Sequence, residues 1–324
     1  MTTPASAPRY PHLRRLGRSG LDVTPVCVGG SPLGSMPQLY GHEVSDDAAI
    51  ATVLRTFAGP FNFLDTSNNY GDGASERRIG AAIVAHGGLP EGFVLATKVD
   101  RDARTGDFSG ARVRASVHES LERLGVDRFD LLYLHDPEAM SFEAGMVPGG
   151  AFDTMVALRE EGVAGAIGVA GGLVSLIRRY VETDAFDVLL THNRYTLLDR
   201  SAAGLIDAAV ARGMGVVNAA PYGGGMLAKG PSERPLYAYG GGRSSMADVA
   251  ARMQEACARH GVPLAAAALQ FSTRDPRIHS TVVGVSSPER LDQTQALLAH
   301  DVPAELWERL EELAPEAEHW LPEA

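Results

Sequence analysis

Phe61–Gly80 reads FNFLDTSNNYGDGASERRIG: an apolar run stops at Asp65-Thr66-Ser67, passes through a polar loop holding Tyr70, and closes on a helix start at Ser75-Glu76. Strand, loaded loop, helix is the order in which a parallel α/β protein sets reactive groups at the carboxyl end of a strand. The same order recurs on both sides. Upstream, Pro25–Gly30 (PVCVGG) is a short apolar strand, and Ser45 caps a helix whose Ile50, Val53, Leu54 and Phe57 recur at helical spacing. Downstream, the segments 93–99 (FVLATKV), 129–134 (FDLLYL), 163–169, 187–191 (DVLLT), 215–220 and 280–284 read as strands, each followed by helical apolar periodicity. Ser201 opens one of these helices and Ser287-Pro288-Glu289 starts the last with good cap chemistry.

Short strands separated by helices pair in parallel through right-handed crossovers, and eight such units predict an α/β fold closed as a (β/α)8 TIM barrel. Leu13–Thr24, with Gly17 and Gly20, predicts a hairpin ahead of the barrel. The stretch 221–279 and the C-terminal tail with Trp307 and Trp320 add helices to it. No linker-like composition shift occurs, so the reading is a single domain over 1–324, with 1–12 as a flexible arm.

Composition narrows the class. Of 324 residues, 45% are hydrophobic and 21% charged, the mix of a soluble globular protein. No apolar run is long enough for a membrane span, and the first twelve residues lack a signal-peptide core, so a cytoplasmic location is expected. Cys27 and Cys257 stand far apart, which argues against a disulfide framework or a zinc site. A net charge of -11 speaks against a nucleic-acid partner.

Four ionisable side chains fall at consecutive strand ends: Asp65 and Tyr70 after the second strand, Lys98 at the end of the third, His135 at the end of the fourth. In a barrel these ends share one rim. A phenol with an ordinary pKa near 10 exchanges protons poorly at neutral pH, and a neighbouring cation draws it down. Lys98 is placed to supply that charge, Asp65 to hold Lys98, and a neutral His135 to donate a hydrogen bond that orients a substrate oxygen. Such a set moves a proton at a carbonyl or alcohol oxygen. It holds neither a strong nucleophile nor a metal constellation. Hydride at carbon requires a nicotinamide cofactor.

These residues resemble the aldo-keto reductases. FLDTSNNYGDGASERRIG, LATKV and LLYLHDP match the family's motifs in order, and the family's catalytic tetrad falls on Asp65, Tyr70, Lys98 and His135. THNRYTLLDR, NAAPYGGGMLAKGP and AALQFSTRDPR are similar to the branch that includes D-threo-aldose (L-fucose) 1-dehydrogenases and pyridoxal 4-dehydrogenases. The resemblance implies an NADP- or NAD-dependent oxidoreductase acting on a sugar or small carbonyl or alcohol. Alternatives are a general aldehyde or ketone reductase, a pyridoxal 4-dehydrogenase, and, without chemistry, a nucleotide-sensing regulatory subunit. Direction and oligomeric state stay open.

For the cofactor, Pro221, Gly223, Gly225 and Leu227 lie in a glycine loop whose backbone amides can approach a diphosphate. Gly223–Ala228 fits G-x-G-x-x-A nominally, but its place late in a barrel speaks against a Rossmann unit. Gly284, Ser286, Arg290 and Gln293 open the last helix, where free amides favour an anion. The family's stretch there grips the adenosine 2′-phosphate, and its usual lysine is Gly284 and its Glu-Asn is Gln293-Thr294. The Ser-Asn that holds the nicotinamide carboxamide is Ala170-Gly171, the family's glutamine is His192, and its stacking tyrosine is Ala219; Asn193 is the expected substitute for the carboxamide. Met36, Tyr40, Phe142, His192, Tyr222 and the tail are the expected pocket walls.

Overall fold

Period-two alternation along each strand is what closes the fold, because one set of side chains fills the barrel while the other meets the helices. The computed structural model describes Tyr10, residues 12–240 and residues 242–323. Apart from Tyr10 and His12, the expected arm over 1–12 lies outside the described residues.

Strands β1 (Arg14–Arg15) and β2 (Asp22–Val23) form an antiparallel hairpin. The barrel strands are β3 (Val26–Gly29), β4 (Phe63–Asp65), β5 (Val94–Val99), β6 (Phe129–His135), β7 (Ala164–Gly171), β8 (Val188–His192), β9 (Gly215–Ala219) and β10 (Ser280–Gly284). They pair in parallel in chain order, and β10 closes onto β3.

Cys27, Phe63, Val94, Ala96, Leu131, Tyr133, Val188, Leu190 and Val217 fill the interior. Their neighbours Leu64, Leu95, Leu132, Leu134, Leu189 and Val216 face outward onto Val53, Phe57, Ile79, Val113, Val117 and Ile206 of the surrounding helices. Leu16 and Val23 of the hairpin join the interior cluster and cover the end of the barrel opposite the strand carboxyl ends. Gly17 permits that closure: at φ 50°, an added Cβ would lie 2.1 Å from the Gly215 nitrogen.

Helix starts follow the expected chemistry in part. Ser45 Oγ accepts from Ala48 N at 3.2 Å. Ser287 makes no side-chain cap bond to the helix Pro288–Ala299, so the cap expected there is absent; the Ser287 backbone oxygen accepts from Arg290 N at 3.1 Å instead. The helix expected at Ser201 begins at Ala203, because Asp199 takes both the Ser201 amide and hydroxyl. The helices Ser245–Arg259, Leu264–Thr273 and Ala304–Leu313 share a second core. Among the described residues, no helix is long and apolar enough to cross a membrane.

Candidate active site

The interior parity carries straight into the site. Phe63 is followed two residues on by Asp65, Val94 and Ala96 by Lys98, and Leu131 and Tyr133 by His135. Each polar group occupies the next inward position above the last packed layer, so three adjacent strands aim acid, cation and imidazole into one mouth. Tyr70 arrives from the loop after β4. Ser75 Oγ donates to Gly30 O at 2.8 Å, and fully buried Glu76 accepts from Thr97 Oγ1 at 2.7 Å, which fix the loop's far end. Gly71, at φ 61°, faces Gly34 so closely that an added Cβ would lie 2.0 Å from the Gly34 oxygen.

Lys98 is 1% exposed and Asp65 3%. The ammonium donates to Asp65 Oδ2 at 2.5 Å, to Thr66 O at 2.6 Å and to Tyr70 Oη at 3.4 Å. Burial pushes the Asp65 carboxyl up, and Lys98 opposes that. Tyr70 departs from expectation. Burial, reinforced by Asp65, Asp136, Tyr40 and Asp100, pushes its hydroxyl well above the ordinary value of 10, so Lys98 does not draw it down here. The two shorter bonds of the ammonium explain why: its charge is matched by Asp65 before it reaches the phenol. Tyr70 Oη accepts from Lys98, and its surroundings favour the neutral phenol.

Asp100 was not anticipated as a site residue, although it stands two residues beyond Lys98 on the same parity of β5. It is 6% exposed, and its Oδ1 accepts from His135 Nδ1 at 2.7 Å. Its Oδ2 accepts from Ser67 Oγ and, at 3.0 Å, from Asn69 N. Because a carboxylate only accepts, the proton of a neutral His135 belongs on Nδ1. Nε2 then carries a lone pair, so the neutral ring presents an acceptor rather than the expected donor. Burial would lower His135, but Asp136 and Asp100 outweigh it and hold the imidazole above its ordinary 6.5. Burial would likewise raise Asp100; His135, Ser67 and the Asn69 amide outweigh it and hold the carboxyl low. The His135 and Tyr70 rings meet edge to face, 5.7 Å apart.

A cavity of about 840 Å³ opens above these groups, with Tyr70, His135, Met36, His192, Asn193 and Tyr239 in its wall. Met36 and His192 thus stand where the sequence put them. Tyr40 lies behind the wall, its hydroxyl 2.6 Å from Ser31 Oγ. Phe142 points elsewhere, against Tyr180 (4.8 Å between centroids) and under Arg179. Tyr222 packs beside the apolar cluster of Val26, Val28, Val283 and Leu291. The tail contributes Leu321 and Pro322, whose carbonyls are held by Arg194 at 2.7 and 3.0 Å.

Asn193 is 5% exposed, sits at φ 59°, and its Oδ1 has no partner. An unpartnered buried acceptor beside the cavity fits a carboxamide NH2. Its backbone oxygen accepts from Tyr237 Oη at 2.8 Å. Tyr237 in turn lies on the glycine loop: a Cβ on Gly223 (φ 55°) would sit 2.1 Å from its ring, and one on Gly224 would sit 2.9 Å from Tyr239 N. The bareness of this loop therefore serves the segment 237–239 as well as any approaching diphosphate. The Leu227 side chain is buried in the second core, and the amides of Gly223, Gly225 and Leu227 already donate within the loop, to Ala220 O at 3.0 Å and to Tyr222 O at 3.1 and 3.1 Å. Pro221 is buried, Gly225 half-buried, Ser286 half-buried, and Gly284, Arg290 and Gln293 exposed. Arg290 donates to Gln293 Oε1 at 2.9 Å. The glycine loop and the last helix start adjoin across β9 and β10 but do not line the large cavity.

Comparison with known proteins follows the same lines. The model of the Aldo/keto reductase family matches residues 25–315. D-threo-aldose 1-dehydrogenase of Pseudomonas sp is 32% identical over 320 residues, covering 91% of this chain and 95% of its own length. L-galactose dehydrogenase of Arabidopsis thaliana is 34% identical over 88% of this chain and 87% of its own. Pyridoxal 4-dehydrogenase of Microbacterium luteolum is 29% identical over 92% and 96%. In fold, the chain is similar to an aldo-keto reductase from Bacillus halodurans solved in its holo form, with TM-score 0.75 and 24% identity over 96% of this chain and 98% of that one.

Proposed function

Since the chain belongs to the aldo/keto reductase family and is an NAD(P)-dependent oxidoreductase, we propose that it oxidises the anomeric carbon of a neutral aldose to a lactone, with Asp65, Tyr70, Lys98 and His135 as its catalytic set. The observation that carries this reading is the convergence of Tyr70 and His135 on one mouth, their rings 5.7 Å apart, with Lys98 and Asp65 directly beneath. Tyr70 and His135 hold the reacting oxygen and share its proton, Lys98 backs the phenol, and Asp65 fixes Lys98. Bound nicotinamide supplies what no side chain here can, the acceptance or delivery of hydride at carbon.

Asn193 would hold the carboxamide. The loop of Pro221, Gly223, Gly225 and Leu227 would lie against the diphosphate by the close approach its glycines allow, since the amides of Gly223, Gly225 and Leu227 donate within the loop, and Gly284, Ser286, Arg290 and Gln293 would meet the adenosine end. With glycine at 284, Arg290 is the cation left in this stretch for a 2′-phosphate, which supports use of NAD as well as NADP.

The mouth itself supports a neutral, hydroxylated substrate. Asp136 is half exposed, 3.5 Å from His192 Nε2 and 3.8 Å from His135 Nε2, and can accept from a sugar hydroxyl. Asp100 and Glu138 add negative charge to the wall, while the Arg194 guanidinium is already bonded to the tail. A phosphorylated substrate would meet repulsion there, with exposed Arg101 as its rim counter-charge. Absorbance of reduced nicotinamide, followed with NAD and NADP against neutral aldoses, simple aldehydes and pyridoxal, tests the proposal. Highest kcat/KM on a neutral aldose is expected; a preference for pyridoxal or a simple aldehyde would replace the substrate, and nucleotide binding without turnover on any of them would favour a sensing role.

A further inference from the structure

We propose that His192 is a positioning residue that fixes the Asn193 amide with its oxygen toward the cavity, so that a bound nucleotide is recognised by the NH2 of its carboxamide and not by the carbonyl. The inference rests on the cofactor reading above and adds to it the residue that sets the polarity of this contact.

The backbone of Asn193 is held at both ends. Its N–H donates to Ala219 O of the adjacent strand β9 at 3.2 Å, and its oxygen accepts from Tyr237 Oη at 2.8 Å. Only the terminal amide is left to turn, and its neighbours decide which end faces the cavity. The nearest of them is His192, whose Nδ1 lies 3.2 Å from Asn193 Nδ2. The far nitrogen of the same ring, Nε2, lies 3.5 Å from Asp136 Oδ1. A carboxylate only accepts, so the proton of a neutral His192 belongs on Nε2, and Nδ1 is an acceptor. Against an acceptor, Asn193 presents its NH2. Its Oδ1 is thereby turned off the ring, and this is the atom that stays buried without a partner. The opposite orientation would set Oδ1 against the Nδ1 lone pair, or leave a bare Nε2 facing Asp136.

The ring has a prepared seat. A Cβ on Gly172 would lie 2.7 Å from His192 Cε1, so the bare backbone there makes room for the imidazole. Gly172 N is itself held by Glu138 Oε1 at 2.6 Å. Asp136, His192 and Asn193 all line the cavity. Their order runs from the carboxylate assigned to a substrate hydroxyl to the amide assigned to the nicotinamide. The charge on Asp136 therefore decides, through His192, which end of Asn193 a nucleotide meets.

Two measurements on the full chain test this. With 15N-histidine labelling, the His192 signal is assigned by its loss in His192→Leu. Long-range 1H–15N correlation, at a pH where the ring is neutral, should show the Nε2–H form. Calorimetric titration then compares the preferred nucleotide, NAD or NADP, with its 3-acetylpyridine analogue, in which methyl replaces the carboxamide NH2 and the carbonyl is kept. The unmodified protein should bind the analogue about tenfold or more weakly, since Asn193 Oδ1 is left buried and unpaired. In His192→Leu the amide can turn its NH2 to the carbonyl that both nucleotides carry, and the difference should shrink to about threefold or less. Asp136→Asn, which keeps the ring but frees its tautomer, should shrink it in the same sense. A packing defect would weaken both nucleotides alike and leave their ratio where it was. An Nδ1–H ring in the unmodified protein, or a ratio that neither variant moves, would overturn the proposal while nucleotide binding stands. Failure to bind NAD and NADP at all would overturn the cofactor reading itself, and the proposal with it.

Discussion

The Lys98 ammonium lies 3.4 Å from the Tyr70 hydroxyl but 2.5 Å from Asp65, so the cation behind the phenol is already paired. The pair is the hinge of the site, and both members are almost wholly buried. Removing one leaves a buried, uncompensated charge, which costs far more than the pair contributes.

Asp65→Asn should therefore destabilise the protein by about 3–5 kcal/mol. Urea unfolding, with the midpoint and slope compared to the unmodified chain, measures this. A loss under about 1 kcal/mol would mean that Lys98 finds another partner or loses its proton.

Asn193→Ala should weaken nicotinamide binding by about fivefold to tenfold, the worth of one or two neutral hydrogen bonds, without touching the proton-moving groups. Quenching of intrinsic fluorescence on titration with NAD and NADP gives the constants. Equal affinity for both variants would remove Asn193 from the carboxamide site.

Arg290→Ala should cost about tenfold in NADP affinity and leave NAD nearly unchanged, because a guanidinium–phosphate bond is charge-assisted and NAD lacks that phosphate. The same titration reads it. A parallel loss for both nucleotides would place Arg290 at the diphosphate instead.

His135 makes stability depend on pH with a definite sign. The folded protein keeps the imidazole proton above the ordinary value of 6.5, so folding takes up a proton in the window between 6.5 and the folded value. Its contribution is fully present below 6.5 and is lost as pH rises through the folded value. Subtracting the denaturation free energy of His135→Gln from that of the unmodified chain, pH by pH, isolates the term; a difference that is flat across this window, or grows with pH, contradicts the assignment.

Much of the fold was legible because period-two and helical spacing are local signals. Asp65, Lys98 and His135 could be read as neighbours once eight strands were counted, since a barrel converts three strand ends into one rim. The hairpin's role in covering the far end was less visible, because Leu16 and Val23 carry no mark that they join the barrel interior. Asp100 shared the parity of Lys98, yet a carboxylate after a strand reads as a turn former unless the partner strand's histidine is placed beside it. The surroundings of Tyr70 were hidden for a related reason: strand spacing places a cation near the phenol, but only the folded arrangement shows that Asp65 and Thr66 take its shorter bonds. Tyr237 was invisible as a support for the glycine loop because it comes from a segment well downstream with no regular pattern. Phe142 failed as a pocket wall because proximity to His135 in sequence does not say which way a short helix turns its ring.

Everything in this site turns on Tyr70 and His135 together handling the proton of the oxygen on the carbon opposite nicotinamide. Single-turnover and steady-state rates of Tyr70→Phe, set beside its NAD and NADP dissociation constants, test it most directly. The expected result is that kcat falls by about 10²–10⁴-fold while both dissociation constants stay within about twofold, half a kcal/mol or less. Turnover close to that of the unmodified enzyme would contradict it.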